Sequence, residues 1–280
     1  MAAKDPLAVT IGTPRPGDAV PPPRDADLAH ARTTDPDGAF VARDADGRVL
    51  GTASAAVRED TLLLLAIDVL VAHRGKGVGG ALLAAVRAYG AARGARALDV
   101  LAPDEPSALA FLLRDGLSLR ALVLLMEAAA SPESPARAAP LTPVGSGAPL
   151  SGWIAALDRE TRGFARPRDW GRRAADGQVF SLKRGGRPVA VGASHEEASG
   201  ITTALGPIAA KTPEAAADLL ALLAARFPGK HLSLALPAEA RTLLLAASAL
   251  GFRAVSTRVL LTDRRRGDLR RYAGGGGRFF

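Results

Sequence analysis

The chain has 280 residues, a formal charge of +8, and a composition that is 48% hydrophobic but only 4% aromatic, which gives room for two ordinary domains rather than one. It contains no cysteine, which excludes disulfides, thiolate metal sites and a cysteine nucleophile, and its four histidines (His30, His73, His195, His231) are scattered without ligand spacing, so no metal is expected. No apolar run approaches the ~20 residues that span a bilayer, and the N-terminus lacks the cationic and apolar regions of a secretion signal, so a soluble, cytoplasmic protein without a membrane partner is expected.

The basic balance suits nucleic acid and a polyanionic cosubstrate equally. The densest cationic run, Asp263 to Arg271, interleaves two aspartates and lacks aromatics on which bases could stack, so nucleic acid is not the expected partner. The abundance of Ala, Arg and Gly also fits the coding bias of a GC-rich genome, which would raise the arginine count without any partner.

In chain order, "GAFVARDADGRVLGTASAAVRED" places alternating runs on either side of Asp46-Gly47, a hairpin signal, and "TLLLLAIDVLV" follows as a long apolar strand. The turn "VAHRGKGVGG" leads into a helix over 79–93, with Leu82, Leu83, Val86, Tyr89 and Gly90 on one face and Gly94 as its stop. A short buried strand "ALDVLAP", a helix from Ser107 to Arg114 stopped by Gly116, and a closing strand "RALVLLMEA" complete the first part. From Ala128 to Gly152 the sequence loses periodicity and collects Pro, Ser, Gly and Ala, which reads as a linker. The expected division is therefore a first domain over 1–128, a linker over 129–149 and a second domain over 150–280. The second part repeats the order of the first at an offset of about 135 residues, as a duplicated domain would.

The turn Gly75-Lys76-Gly77-Val78-Gly79-Gly80 formally satisfies G-x-G-x-x-G, with Asp99 about twenty residues on, but the strand before it follows an antiparallel hairpin instead of opening a parallel βαβ unit. A Walker loop fails because Lys76 is followed by Gly77, not Ser or Thr. A strand ending in a glycine-rich turn that feeds a helix does aim several backbone N–H groups and the positive helix end at one spot, where a pyrophosphate can sit. Gly75, Gly77 and Gly79 allow close approach and positive φ, while Arg74 and Lys76 add charge.

In its context, Arg74-Gly75-Lys76-Gly77-Val78-Gly79 resembles the signature of the GNAT acetyltransferase superfamily. The resemblance implies an α/β (α+β) fold with a mixed, mostly antiparallel sheet flanked by helices, and acetyl-CoA as cosubstrate. It places the coenzyme pyrophosphate on Arg74, Gly75, Lys76, Gly77, Val78, Gly79 and Gly80, and the pantetheine arm on the backbone of Ile67, Asp68 and Val69. The family's tyrosine proton donor falls at Leu112 and its asparagine at Glu105, so the donor is missing or comes from water or another element. For the general base, Asp99 and Asp68 are the candidates, with a structural pairing to a neighbouring arginine as the alternative. His73 reads as a solvated turn residue.

In the second part the turn reads "ALGPIAAKTPEAAADLL", and the close-approach glycines are gone. Together with "LDRETRGFARPRDW" and "LGFRAVSTRVLL", it resembles the degenerate C-terminal domain of bacterial tandem acetyltransferases of the YitH type, with Asp158, Gly163 and Arg166 at matching positions. Arg159, Arg162, Arg166, Arg168, Arg172 and Arg173 read either as a solvated face or as a recognition surface for the acceptor, which makes Asp158, Arg162 and Arg166 the candidate substrate-binding residues. The expected protein is a tandem GNAT N-acetyltransferase acting on a primary amine of a small molecule, as a monomer or homodimer. A non-catalytic coenzyme A-binding sensor or scaffold, and an acetyltransferase acting on a protein or nucleic-acid-associated amine, are the alternatives.

Overall fold

The computed structural model describes residues 9–16, 18, 26–129, 141–145, 152–176, 178–197 and 201–275, so most of the expected linker and the terminal Phe279-Phe280 lie outside the described residues. The first repeat runs β1 (Thr10–Gly12), α1 (Ala26–Thr34), β2 (Ala39–Arg43), β3 (Val49–Arg58), β4 (Thr61–Val69), α2 (Val78–Ala92), β5 (Ala97–Pro103), α3 (Pro106–Arg114) and β6 (Ser118–Ala128). The second runs β7 (Thr142–Pro143), α4 (Gly152–Thr161), α5 (Pro167–Ala175), β8 (Val179–Arg184), β9 (Arg187–Glu196), β10 (Thr202–Ala210), α6 (Pro213–Ala224), β11 (His231–Pro237), α7 (Arg241–Ala249), β12 (Arg253–Thr262) and β13 (Tyr272–Ala273). From β2 to β6 and from β8 to β12 the order is the same, which is the expected duplication.

Local chemistry explains these elements. The Asp44 carboxylate accepts from the Asp46 and Arg48 amides and Gly47 takes φ 80°, so the β2–β3 hairpin closes at the Asp-Gly pair. Helix α2 buries Val78, Leu82, Leu83, Val86, Tyr89 and Gly90, one stripe at helical spacing, against β3 and β4. It ends where Gly94 turns left-handed at φ 76° and the Ala95 amide reaches back to the Gly90 carbonyl.

The chain forms two compact units, residues 1–100 and 101–280. In the first, β1 to β4 are antiparallel neighbours and β5 joins β4 in parallel. In the second, the strand order is β12-β6-β11-β10-β9-β8-β7, with only β10 and β11 parallel. Leu219, Leu220 and Leu223 of α6 and Leu243 of α7 pack into its core, all fully buried.

By compactness the chain divides at Val100–Leu101, ahead of the expected linker over 129–149, most of which lies outside the described residues. The cause is β6: Met126 pairs with Leu234 of β11 on one edge and with Ala254 of β12 on the other, so the last strand of the first repeat is hydrogen-bonded into the sheet of the second.

Candidate active site

The sequence singles out the end of β4 and the turn after it. Leu62 to Leu65 are buried, and an irregularity in the β3–β4 register falls opposite Leu65. Strand β4 pairs with β5 only over Thr61–Leu64 and Ala97–Val100. Beyond that, its far edge over 66–69 has no strand partner among the described residues. Antiparallel alternation assigns the backbone groups there. The Leu70 amide donates to the Leu50 carbonyl at 2.9 Å, and in the same register Asp68 faces Thr52. The N–H and C=O of Asp68 are therefore directed at β3, while those of Ile67 and Val69 point to the open edge. Of the three residues expected to meet an extended ligand through their backbone, two can do so and Asp68 cannot.

A single 3-10 turn over Val71–His73 then leads to Gly75 and Gly77, at φ 71° and 86°, and Gly77 caps α2 without a side-chain hydrogen bond. The Ala81 amide is satisfied by the Gly77 carbonyl at 3.0 Å, but the amides of Val78, Gly79 and Gly80 have no backbone acceptor among the described residues. A Cβ built on Gly75, Gly77 or Gly80 would meet no atom within 4 Å. The glycines are therefore not required by protein packing; they keep a cradle open in front of the helix end. Arg74 donates from Nε to the Val69 carbonyl at 3.1 Å across the turn and is otherwise exposed, and Lys76 is half-exposed with no ion-pair partner among the described residues. No acidic residue lies in the first turn of α2. Backbone donors and positive charge are thus gathered at one helix start, an arrangement that favours an anion.

The two candidate bases are not brought together. The Asp68 side chain is exposed at the end of β4, with no hydrogen-bond partner among the described residues. Asp99 is buried and stands opposite Leu63, five residues back along β4, which is about 16 Å at the rise of a strand. Asp99 thus lies in the closed part of the sheet and only Asp68 sits beside the open edge. Leu112, where a proton donor is expected by resemblance, is a buried apolar side chain of α3, and Glu105 is exposed just before that helix. His73 is half-buried rather than solvated, and its Nδ1 is buried without a partner.

Sequence reasoning missed a buried polar cluster at the other end of β4 and α2, where Arg58 pairs with Thr61. Asp35, 7% exposed, pairs with Arg58, 2% exposed, at 2.6 Å, and also accepts from the Tyr89 hydroxyl at 3.1 Å and the Val57 amide at 3.1 Å. Burial alone would raise the Asp35 carboxyl, but the Arg58 bond and charge, with the Thr34 and Val57 bonds, hold it below the usual carboxylate range. Tyr89 is pushed up to about 12 by burial and by the Asp35 charge.

The second unit holds a counterpart. The Arg166 backbone amide, Nε and Nη2 all donate to Asp158, at 2.9, 3.1 and 2.6 Å, and Nη1 donates to the Tyr272 hydroxyl at 3.1 Å. Asp158 is fully buried and Arg166 is 2% exposed, while Arg162, also buried, lies over the Phe164 ring. Burial works against the Arg166 charge, but Asp158 more than offsets this and raises its pKa. Asp158, Arg162 and Arg166 do converge, then, but in the interior, where Asp158 and Arg166 are engaged in fixing the loop between α4 and α5. Neither a solvated face nor an exposed recognition surface describes them. The chain has only two tyrosines, one per repeat, and each bonds to a buried Asp–Arg pair.

Comparison with known proteins agrees with this architecture. Residues 11–116 match the acetyltransferase (GNAT) family and residues 154–269 match a second acetyltransferase (GNAT) domain. No curated protein matches the sequence. Among solved structures, a Pyrococcus horikoshii protein assigned as an acetyltransferase is similar over 94% of this chain and 92% of its own, at 15% identity and TM-score 0.72. A GCN5-related N-acetyltransferase of Sphaerobacter thermophilus is similar over 95% and 99%, at 18% identity and TM-score 0.59. A tandem GNAT protein from the clavulanic acid biosynthesis pathway, solved without AcCoA, is similar over 88% and 90%, at 18% identity and TM-score 0.53. At these identities the structural likeness establishes the fold. With two family matches along one chain, the protein is an acyltransferase by class. It belongs to the GNAT family as a tandem of two GNAT domains.

Proposed function

We propose that the protein is an N-acetyltransferase that takes acetyl-CoA at its first repeat and passes the acetyl group directly to a primary amine of a small molecule. The open cradle at Gly75, Gly77 and Gly80, set against the unbonded amides of Val78 to Gly80, carries this reading. Those amides, with Arg74 and Lys76, would hold the pyrophosphate. The Ile67 and Val69 backbone groups would pair with the amides of the pantetheine arm, as an added strand pairs with a sheet edge. Acetyl-CoA supplies an activated thioester. The chain supplies orientation: the arm laid along β4 brings its reactive end toward the irregularity at Leu65, where backbone donors on the open edge can polarise a carbonyl. Asp68, exposed beside that edge, would attract a cationic amine and accept its proton. With no cysteine to carry an acyl group, transfer is direct. The amine nitrogen bonds the acetyl carbon, the carbon–sulfur bond breaks, and coenzyme A leaves as a thiolate that takes a proton from water, since Leu112 offers none.

Calorimetric titration with acetyl-CoA, combined with thiol release across a panel of small amines, tests the proposal. Tight binding with amine-dependent release supports it; failure to bind acetyl-CoA overturns it. Buried Leu112 at the expected donor position favours a second reading, a coenzyme A-binding protein without turnover, and binding without release across the panel would select that reading.

A further inference from the structure

The open edge of β4 has a counterpart in the second unit. Strands β10 and β11 run in parallel, paired over Thr202–Ala204 and His231–Ser233, much as β4 and β5 are over four residues. Past that stretch β10 has a different neighbour. Ile208 and Ala209 pair antiparallel with Ala273 and Tyr272 of β13, and on the other side of β13 the Gly274 amide donates to the Ala235 carbonyl at 2.8 Å while the Gly274 carbonyl accepts from the Ala235 amide at 3.1 Å. The segment 272–274 therefore lies between β10 and β11, in the groove that their divergence creates.

The fit is close and built from both sides. At Gly206, φ 131°, a Cβ would stand 2.6 Å from the Gly274 carbonyl oxygen, and at Gly275 a Cβ would stand 2.7 Å from the Gly206 carbonyl oxygen. Tyr272, Ala273 and Leu269 are fully buried, and Arg166 holds the Tyr272 hydroxyl. Arg271 reaches from Nη1 to the carbonyls of Ala210 and Lys211 at 3.2 and 2.8 Å, where β10 enters its turn.

We infer that the C-terminal strand is a resident occupant of the second repeat's ligand groove: it makes to β10 and β11 the backbone bonds that an extended, amide-bearing ligand would make, and so closes that repeat to acyl-CoA. This rests on the reading of β4 and its turn as the acyl-CoA site, and it sets the capacity of the chain at one acyl-CoA.

The test uses the full chain, wild type and Gly77→Glu, with acetyl-CoA as the probe, read by calorimetric stoichiometry and by amide hydrogen exchange at Tyr272, Ala273 and Gly274. One equivalent in the wild type, none in Gly77→Glu, and exchange at Gly274 that stays slow under saturating acetyl-CoA are expected. A second equivalent, a site that survives Gly77→Glu, or Gly274 exchange that is fast or becomes fast when acetyl-CoA is added overturns the inference. No binding by the wild type with a protected Gly274 would instead sink the assignment of the first repeat and leave the groove closed. In Gly206→Ala, whose Cβ meets the Gly274 oxygen, exchange at Gly274 should rise at least about tenfold with acetyl-CoA affinity unchanged; equal exchange in the two proteins would also count against it.

Discussion

Residues 77 and 212 occupy the same place in the two repeats, the cap of the helix that follows the long strand, and they treat the same physical problem in opposite ways. Every helix start leaves amides without internal partners. At Gly77 no side chain or backbone acceptor among the described residues answers them. At Thr212 the hydroxyl accepts from the Ala215 amide at 3.2 Å, Pro213 removes one N–H altogether, and Glu214 puts a negative charge in the first turn. One helix start is kept unsatisfied, at a cost in stability, and can hold an anion; the other is self-satisfied and repels one. The two repeats share one order of elements, and at this turn they differ in what the helix start can receive.

Changes that erase the difference should have the largest effects. Gly77→Glu puts a carboxylate into the cradle and should weaken acetyl-CoA binding by about 100-fold or more, read by calorimetry. The left-handed φ at that position should cost only about 1–3 kcal/mol of stability in a urea titration, so lost binding with a folded protein is the expected pair of results. Next come the buried ion pairs, one per repeat. Asp158→Ala removes the carboxylate that takes three bonds from the buried Arg166 and should destabilise the protein by about 3–5 kcal/mol.

The Asp35 pair should show itself through pH. The folded carboxyl titrates below its unfolded value of about 3.9. Its contribution to stability is therefore fully present above that value and disappears as pH falls through the lower folded value. Urea midpoints measured from pH 7 to pH 2 should drop more steeply in the wild type than in Asp35→Asn; parallel curves would remove Asp35 from the account. Arg74→Ala, which leaves the cradle amides in place, should cost about tenfold in acetyl-CoA affinity and flatten its salt dependence. The smallest effect is expected at the other turn: Thr212→Ala should cost about 1 kcal/mol of stability and leave acetyl-CoA binding unchanged.

The features legible in the sequence are those whose cause is local. The hairpin at Asp46-Gly47, the stripe along α2 and the glycine cradle are set by residues within a few positions of one another, and the duplication shows as a repeated order of such signals. The turn at Thr212 was legible for the same reason, as missing glycines. What could not be read was set by partners far away in sequence. Nothing in "RALVLLMEA" says that β6 will take β11 and β12 as neighbours, and two residues of β13 are too few to show any periodicity. Asp35, Asp158 and Arg166 look like surface charges because a lone charged residue beside a helix end usually is one. Their burial follows from matched partners 23 residues apart in one case and a tyrosine 106 residues away in the other. The open edge of β4 has the same character, since it depends on where β5 stops pairing.

The position of β6 bears on how the molecule is made. In register with Leu261, Leu119 waits for a strand that leaves the ribosome more than a hundred residues later, and no sheet around β6 can close before that. A gene cut at 129–149 would therefore not yield two self-sufficient proteins. A fragment beginning at residue 150 would carry β11 and β12 with bare facing edges, prone to association with other copies. Because β6 belongs to the sheet of β11 and β12, a version split there is expected to recover only when both pieces are synthesised together.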